Sequence, residues 1–162
     1  MIEDYLTVAD RIRQELDDLA RVVARAERAI KAAGRQSEDQ DLYLDSVALN
    51  LHDFYAGLER IFHQIATMID GNLPTGREWH RDLLQQMQAD LPDLRPPVLS
   101  IEARQAVDEF LRFRHVVRHI YAFQFDPNSL ERLVQLMPSA FQQAKAELLA
   151  FAEFLEQVGR DT

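Results

Sequence analysis

The segment from Leu42 to Asp70 constrains the fold more than any other part of this sequence. Its apolar residues recur at helical spacing and form one wide face: Leu44, Val47, Ala48, Leu51, Phe54, Tyr55, Leu58, Ile61, Phe62, Ile65 and Ile69. A helix with so broad an apolar face must bury it against other helices. We therefore expect this segment to be the central helix of a bundle, followed by the loop from Gly71 to Gly76.

The other apolar patterns also predict helices, and no segment alternates with the period of two that marks a strand. In chain order these helices are expected to run from Ile2 to Ala33, Arg77 to Ala89, Ile101 to Phe123, from a start at Asp126-Pro127, and from Ser139 to Gln157. Ser100 is placed to cap the helix that begins at Ile101, and Pro138 should break or kink the last region. Only 5 Gly and 6 Pro among 162 residues leave few connections. The expected fold is all-α: an up-and-down bundle of four long helices plus one or two short helices, in a single domain over residues 1–162.

The composition excludes several classes of protein. The chain has no Cys, which rules out disulfides, thiol catalysis and zinc-thiolate sites. Its N-terminus is acidic and unlike a signal peptide, and no apolar run approaches the length of a membrane span, so we expect a cytoplasmic protein with no membrane partner. With 27 Asp+Glu against 18 Lys+Arg, the formal net charge is −9. Broad nonspecific binding to nucleic acid is therefore disfavoured, and any RNA contact must be local.

One stretch opposes this overall charge. Residues 111–125, LRFRHVVRHIYAFQF, contain three arginines, two histidines and no acidic residue. Like charges on adjacent helical turns repel one another. Asp108 and Glu109 can serve Arg112, but no acidic residue lies at helical spacing from Arg114 or Arg118. Two interpretations stay open from the residues alone: acids on other helices neutralise the cluster, or the cluster binds an anion.

The geometry of this stretch follows from a helical wheel. With Arg114 at zero, Arg118 lies at about 40°, His115 at about 100° and His119 at about 140°. Tyr121, seven residues after Arg114, returns to about the same line. The stretch thus presents a cationic face bordered by a tyrosine. Because Arg114 and His119 diverge, they would meet only through a bend, long side chains or a neighbouring subunit, which is a reason to expect a dimer.

Arginine and histidine together suffice for RNA cleavage without a metal. Histidine titrates near neutrality, so it can take or give a proton at the ribose 2′-OH or the leaving 5′-oxygen. An arginine fork binds the phosphate and stabilises the charge that builds in the transition state. His115 and His119 are also spaced as a helical metal pair, but the three nearby arginines would repel a divalent cation. We expect no metal and no cofactor.

The remaining histidines receive no chemical role. His52, Glu59 and His63 lie within roughly 40° of each other on a wheel of about 100° per residue. They fit a polar boundary strip better than a metal site, because helical metal motifs need closer convergence. His80 fits a boundary histidine beside Leu84.

The residues from Arg114 to Tyr121, RHVVRHIY, fit the motif R-x4-H-x-Y. Together with the runs LHDFYAGLERIFHQIA and DGNLPTGREWHRDLLQQM, this motif resembles the HepT-type ribonuclease toxins of the HEPN superfamily. The resemblance covers roughly Leu42 to Phe154. It implies a helical bundle that forms a homodimer, with the two motif helices lining a shared basic cleft.

The same resemblance assigns roles to residues. Arg114 and His119 would be the catalytic pair of a metal-independent ribonuclease acting on RNA. Tyr121 would be the residue to which a minimal nucleotidyltransferase antitoxin, the partner in a type VII toxin–antitoxin pair, adds AMP. His115 and Arg118 are candidate assisting residues. The Asn or Asp common at the position of His115 is replaced here, so its role stays open.

Two other functions compete with a ribonuclease toxin. One is a non-catalytic helical subunit that presents substrate to a nucleotidyltransferase. The other is a plain bundle whose arginine cluster is an ion-paired core, which would require Arg114 and Arg118 to be buried against carboxylates.

Overall fold

The computed structural model describes residues 2–35 and 38–161, which form helices and loops with no β-strand. The helices are α1 (Ile2–Arg35), α2 (Gln40–Gln64) with a π-helical continuation (Ile65–Asp70), α3 (Trp79–Gln88), α4 (Ile101–His119), a 3-10 turn (Ala122–Gln124) and α5 (Pro127–Asp161). The predicted all-α bundle of four long helices and a short one is confirmed. None of the helices within the described ranges combines the length and apolar character needed to cross a bilayer.

The long helix α1 packs along both α2 and α5. Its buried residues recur every three or four positions, as an amphipathic helix requires: Val8, Ala9, Ile12, Leu16, Leu19, Val23, Ala26, Ala29 and Ala33. Gly57 of α2 lies close to α1, because a Cβ there would be only 2.5 Å from Cδ2 of Leu19. Any larger residue at position 57 would therefore require the Leu19 side chain to shift.

An aromatic cluster fixes α4 against the bundle. The ring of Phe54 on α2 contacts Phe110 of α4 edge-on, with centroids 4.9 Å apart, and Phe141 of α5 at 6.2 Å. All three rings are buried, and such pairs contribute roughly 0.5–1.5 kcal/mol each beyond their buried area. Since this cluster holds one face of α4, the opposite face is left to solvent and to α3.

The start of α4 is capped as predicted. The Ser100 hydroxyl accepts a hydrogen bond from the backbone N–H of Ala103 at 3.1 Å. The carboxylate of Glu147 on α5 accepts from both the backbone N–H and the hydroxyl of Ser100, at 2.5 and 2.9 Å. A cap of this kind contributes about 1 kcal/mol and ties α4 to α5.

The end of α4 differs from the prediction. The helix stops at His119 instead of continuing to Phe123, and Ile120 is extended, with φ −131° and ψ 161°. Tyr121 therefore does not lie on the helical line of Arg114. The physical reason is packing: Phe123 is 84% exposed, whereas Phe125 turns back to contact Phe113, with ring centroids 5.9 Å apart. No core continues along the axis of α4 to stabilise another turn.

The predicted break at Pro138, with a separate helix from Ser139 to Gln157, is also wrong. A single helix, α5, runs through this proline. Proline removes one backbone hydrogen bond and typically costs about 3 kcal/mol inside a helix. Val134, Met137 and Phe141 are buried on either side of it, and each buried side chain contributes about 1.5–3 kcal/mol. Burial on both sides keeps the helix continuous.

A fully buried arginine organises the connection between α3 and α4. Arg95 forms a bidentate pair with Asp70, with Nε 2.6 Å from Oδ1 and Nη2 2.8 Å from Oδ2. Its other hydrogen bonds go to the carbonyl oxygens of Gln86, Ala89 and Pro96, at 3.0–3.1 Å. The Arg95 network, as we name it, holds this loop on the end of the π-helical segment.

Candidate functional site

An open cleft of about 890 Å³ lies between α4 and the segment that leads into α3. Its lining residues come from these two elements alone: Gly76, Arg77, Glu78, Trp79, His80 and Arg81 on one wall, and Asp108, Leu111, Arg112, Arg114, His115 and Arg118 on the other. Three of the five residues predicted for the site, Arg114, His115 and Arg118, therefore share one cavity.

The cleft is cationic although the protein is acidic. Five arginines and two acids line it, a balance of 5 − 2 = +3 with the histidines neutral, against −9 for the chain. One of the acids, Asp108, is already paired, with its Oδ2 3.1 Å from Nε of Arg112. The prediction that Asp108 or Glu109 serves Arg112 is thus confirmed for Asp108. The field inside the cleft attracts anions and repels divalent cations.

Arg114 and Arg118 have no carboxylate partner in the described part of the chain. No Asp or Glu oxygen there lies within 4.0 Å of either guanidinium. Arg114 is half-buried and Arg118 is exposed. An ion-paired core would need both side chains buried against acids, so the structure does not support that interpretation of the cluster.

The two motif histidines stack on each other at the end of α4. Their ring centroids are 4.1 Å apart, with an angle of 29° between the ring planes. Nδ1 of His119 lies 2.7 Å from the backbone carbonyl oxygen of His115. A carbonyl only accepts, so Nδ1 of His119 is the donor and Nε2 is left to exchange protons with solvent or substrate. His119 is exposed and does not line the cleft, so one chain does not bring it together with Arg114.

Tyr121 lies beyond the helix end, at the rim of this region. Its side chain is 71% exposed. The ring stacks on that of Phe123, with the ring centroids 5.5 Å apart and an angle of 8° between the ring planes. The backbone N–H of Tyr121 donates to Oε1 of Gln124 at 2.8 Å, which fixes the turn. The phenol ring is therefore accessible.

The structure adds a histidine for which helical spacing predicts no chemical role. His80 lies on the α3 wall of the cleft, and its Nδ1 is 2.6 Å from Oε2 of Glu59 on α2. Both side chains are mostly buried, at 19% and 15% exposure. The ring of Trp79 packs against the imidazole, with centroids 3.5 Å apart. His80 is therefore fixed by two other side chains and mostly buried, whereas His115 and His119 stack on each other and are exposed.

A buried tyrosine lies next to this pair. Burial raises the pKa of Tyr55 far above its ordinary value, the negative charge of Glu59 raises it further, and the positive charge of Arg114 opposes the shift. The Tyr55 hydroxyl makes no hydrogen bond that meets the distance limit of 3.5 Å and the angular limits among the described residues, although a weaker hydrogen bond to Glu59 adds to the rise of its pKa. Tyr55 thus responds electrostatically both to the partner of His80 and to Arg114 of the cleft.

A signal for the second wall was present in the sequence. The run GREWHR at residues 76–81 holds two arginines and a histidine within six positions. The pairing of His80 with Glu59 depends on how α3 returns to α2, which helical spacing does not specify.

His52, Glu59 and His63 form a polar boundary on α2 and not a metal site. His52 and Glu59 are partly buried and His63 is exposed, and His52 lies 3.9 Å from Asp53. Within residues 2–35 and 38–161, no group of three or more potential ligands is arranged to hold a metal ion.

Fold and site together define a helical bundle with a cationic cleft between its short helix and its fourth helix. A model of the HepT-like protein family matches residues 46–155, from α2 through most of α5 and including both walls of the cleft. This match covers more than half of the chain, and the protein belongs to the HepT-like family. No curated protein and no solved structure matches the chain.

Proposed function

We propose that this protein is the ribonuclease toxin of a type VII toxin–antitoxin pair and acts in the cytoplasm. The observation that carries the proposal is the cationic cleft, in which half-buried Arg114 and exposed Arg118 have no carboxylate partner in the described chain. Membership of the HepT-like family supports it, because the resemblance through R-x4-H-x-Y implies RNA cleavage. RNA is the substrate because its phosphates supply the anion and its 2′-OH supplies the nucleophile.

The chemistry assigned to the motif needs no metal. Arg114 binds the scissile phosphate and stabilises the charge that develops on its oxygens, while His119 transfers a proton. His115 and Arg118 assist, His115 through its ring stack on His119 and Arg118 as a second phosphate ligand. Since Arg114 and His119 do not share a cleft within one chain, the active form is a homodimer in which His119 of one copy complements Arg114 of the other.

Purified protein and its His119→Ala variant test this function directly. With EDTA present, the wild type is expected to cleave RNA and His119→Ala to lose about 10²–10⁴-fold in rate, the usual contribution of a proton-transfer group. His63→Ala, an exposed histidine far from the motif, is the matched control. If His119→Ala cleaves RNA at the wild-type rate, His119 is not part of the active site. If the wild-type protein does not cleave RNA but binds a nucleotidyltransferase, the non-catalytic alternative is supported.

Modification of Tyr121 is a separate proposal. Its exposed phenol oxygen attacks the α-phosphate of ATP on the antitoxin, forming a Tyr–AMP ester and releasing pyrophosphate. Intact mass after co-expression with an adjacent nucleotidyltransferase should rise by one or more AMP units. Tyr121→Phe should prevent the rise, whereas Tyr43→Phe should not. An unchanged mass rise in Tyr121→Phe would assign the modification to another residue.

A further inference from the structure

The Glu59–His80 pair has no part in the chemistry assigned to the motif, yet His80 lines the same cleft as Arg114 and Glu59 holds it from beneath α3 through a hydrogen bond. The pair comes from two elements, α2 and α3, that the motif does not include. His80 is hydrogen-bonded through Nδ1 to a carboxylate, is packed on its face by Trp79, and is only 19% exposed. Such fixed geometry is what a proton-transfer group requires.

The carboxylate determines which ring nitrogen is available. An ionised Glu59 only accepts hydrogen bonds, so Nδ1 of His80 carries the proton and Nε2 keeps its lone pair. After His80 takes a second proton, the same carboxylate stabilises the imidazolium. A histidine oriented in this way by a buried acid is prepared to act as a general base. His119 differs, because its Nδ1 donates to a neutral backbone carbonyl.

We propose that His80 is the general base of the cleft and that Glu59 is its positioning residue, an inference that rests on the ribonuclease function. Nε2 of His80 removes the proton from the ribose 2′-OH, and the 2′-oxygen bonds to phosphorus. The bond from phosphorus to the 5′-oxygen breaks, and the leaving oxygen receives a proton from the His119 imidazolium of the second copy in the homodimer. The products are a 2′,3′-cyclic phosphate and a 5′-hydroxyl, with one proton taken up at His80 and one released from His119.

The test distinguishes the general base from the general acid by changing the leaving group of the substrate. A cut site is first located in cellular RNA, and a short oligonucleotide spanning it is made with either oxygen or sulfur at the bridging 5′ position. A 5′-thiolate leaves without protonation, so loss of the acid is tolerated on the sulfur substrate, whereas loss of the base is not. His80→Gln should lower the rate about 10²-fold or more on both substrates. His119→Ala should be slow on oxygen and recover on sulfur, and His63→Gln should match the wild type on both.

Glu59→Gln keeps the size and a hydrogen-bonding group at position 59 and removes the charge. Its rate should fall on both substrates by a smaller factor than in His80→Gln, without recovery on sulfur. The double variant should lose no more than His80→Gln alone, because the carboxylate acts through the histidine. If Glu59 and His80 only stabilised the fold, their substitutions would not be expected to combine without a further loss of rate in the double variant. If His80→Gln fails to fold, Glu59→Gln carries the same comparison.

The possible outcomes distinguish a failure of the His80 assignment from a failure of the ribonuclease function on which it rests. If His80→Gln folds and cleaves both substrates at the wild-type rate, His80 is not the general base, although the protein is still a ribonuclease. If His80→Gln does not fold, the same result for Glu59→Gln has the same meaning. Recovery of either variant on the sulfur substrate also overturns it, since that pattern belongs to an acid. A wild-type protein that cleaves no RNA overturns both proposals.

Discussion

Two regions of this bundle hold arginine in opposite ways. In the Arg95 network the guanidinium is fully buried, bidentate to Asp70 and bonded to three carbonyl oxygens. In the cleft, Arg114 and Arg118 have no carboxylate within 4.0 Å in the described chain. Arg95 lies on the connection from α3 to α4, and the cleft arginines lie on α4 itself, facing the start of α3. The protein has 27 Asp+Glu, so a shortage of carboxylates does not explain why Arg114 and Arg118 lack a partner.

This difference shows how an arginine that stabilises the fold can be distinguished from one that is available to bind a ligand. A buried arginine loses its hydration and must be paired and fully hydrogen-bonded, as Arg95 is. An arginine at an open cleft keeps water as its partner and can exchange that water for an anion. Solvent access together with the absence of a paired carboxylate, more than the count of arginines, leaves Arg114 and Arg118 free to bind an anion.

The largest effect on stability is expected when the Arg95 network is broken. Arg95→Met leaves Asp70 buried with Gln86 as its remaining side-chain donor, and should lower the free energy of unfolding by about 3–5 kcal/mol. Urea denaturation followed by circular dichroism measures it. Arg95→Met/Asp70→Leu should recover part of the loss, because no uncompensated charge is left. A loss below about 1 kcal/mol for Arg95→Met would show that the pair is not structural.

Tyr55 extends the comparison to a neutral group, because its buried hydroxyl has no hydrogen bond of 3.5 Å or less to any residue that the structure describes. At neutral pH, Tyr55→Phe should be neutral or stabilising by up to about 1 kcal/mol. Its raised pKa means that the folded protein keeps this proton while the unfolded chain loses it above the ordinary value of 10.0. Above pH 10 the wild type should therefore lose stability relative to Tyr55→Phe, by about 1.4 kcal/mol per pH unit. Parallel pH profiles for the two proteins would contradict the shift.

The smallest effect is expected at a partly exposed pair, Arg13 with Glu156, in which Nη2 of Arg13 lies 2.8 Å from Oε1 of Glu156. The hydrogen bond from Arg13 lowers the pKa of Glu156 below its ordinary 4.5, although burial opposes the shift. The lowered pKa stabilises the fold above pH 4.5, and this gain is lost as the pH falls through the folded pKa. Because the Arg13 side chain is 42% exposed and the pair is screened by water, Glu156→Gln should cost only roughly 0.2–1 kcal/mol at pH 7 and nothing at pH 2. Thermal denaturation at both pH values checks this, and an equal loss at pH 2 would rule out the ionic origin.

Much of the fold could be predicted from the sequence because periodicity reports burial. The faces of α1 and α2 and the cap at Ser100 follow from local spacing. The end of α4 and the continuity of α5 through Pro138 do not, since both depend on where the core extends. Phe123 has the spacing of a core residue but lies in solvent.

The site could be predicted in part for the same reason. Arg114, His115 and Arg118 share a helical face, and the structure places all three in one cleft. The opposite wall is contributed by the segment before α3, and its pairing of His80 with Glu59 joins positions 21 residues apart. Such contacts between helices leave no periodic trace in a single sequence.

The central claim is that Arg114 serves substrate while Arg95 serves the fold, and one matched measurement tests it. Arg114→Met, with Arg28→Met on the exposed face of α1 as control, is assayed for both RNA cleavage and urea denaturation. The account predicts a loss of about 10²–10³-fold in cleavage rate, as for a group that stabilises transition-state charge, with the free energy of unfolding changed by less than about 0.5 kcal/mol. Cleavage at the wild-type rate, or destabilisation comparable to that of Arg95→Met, would contradict it.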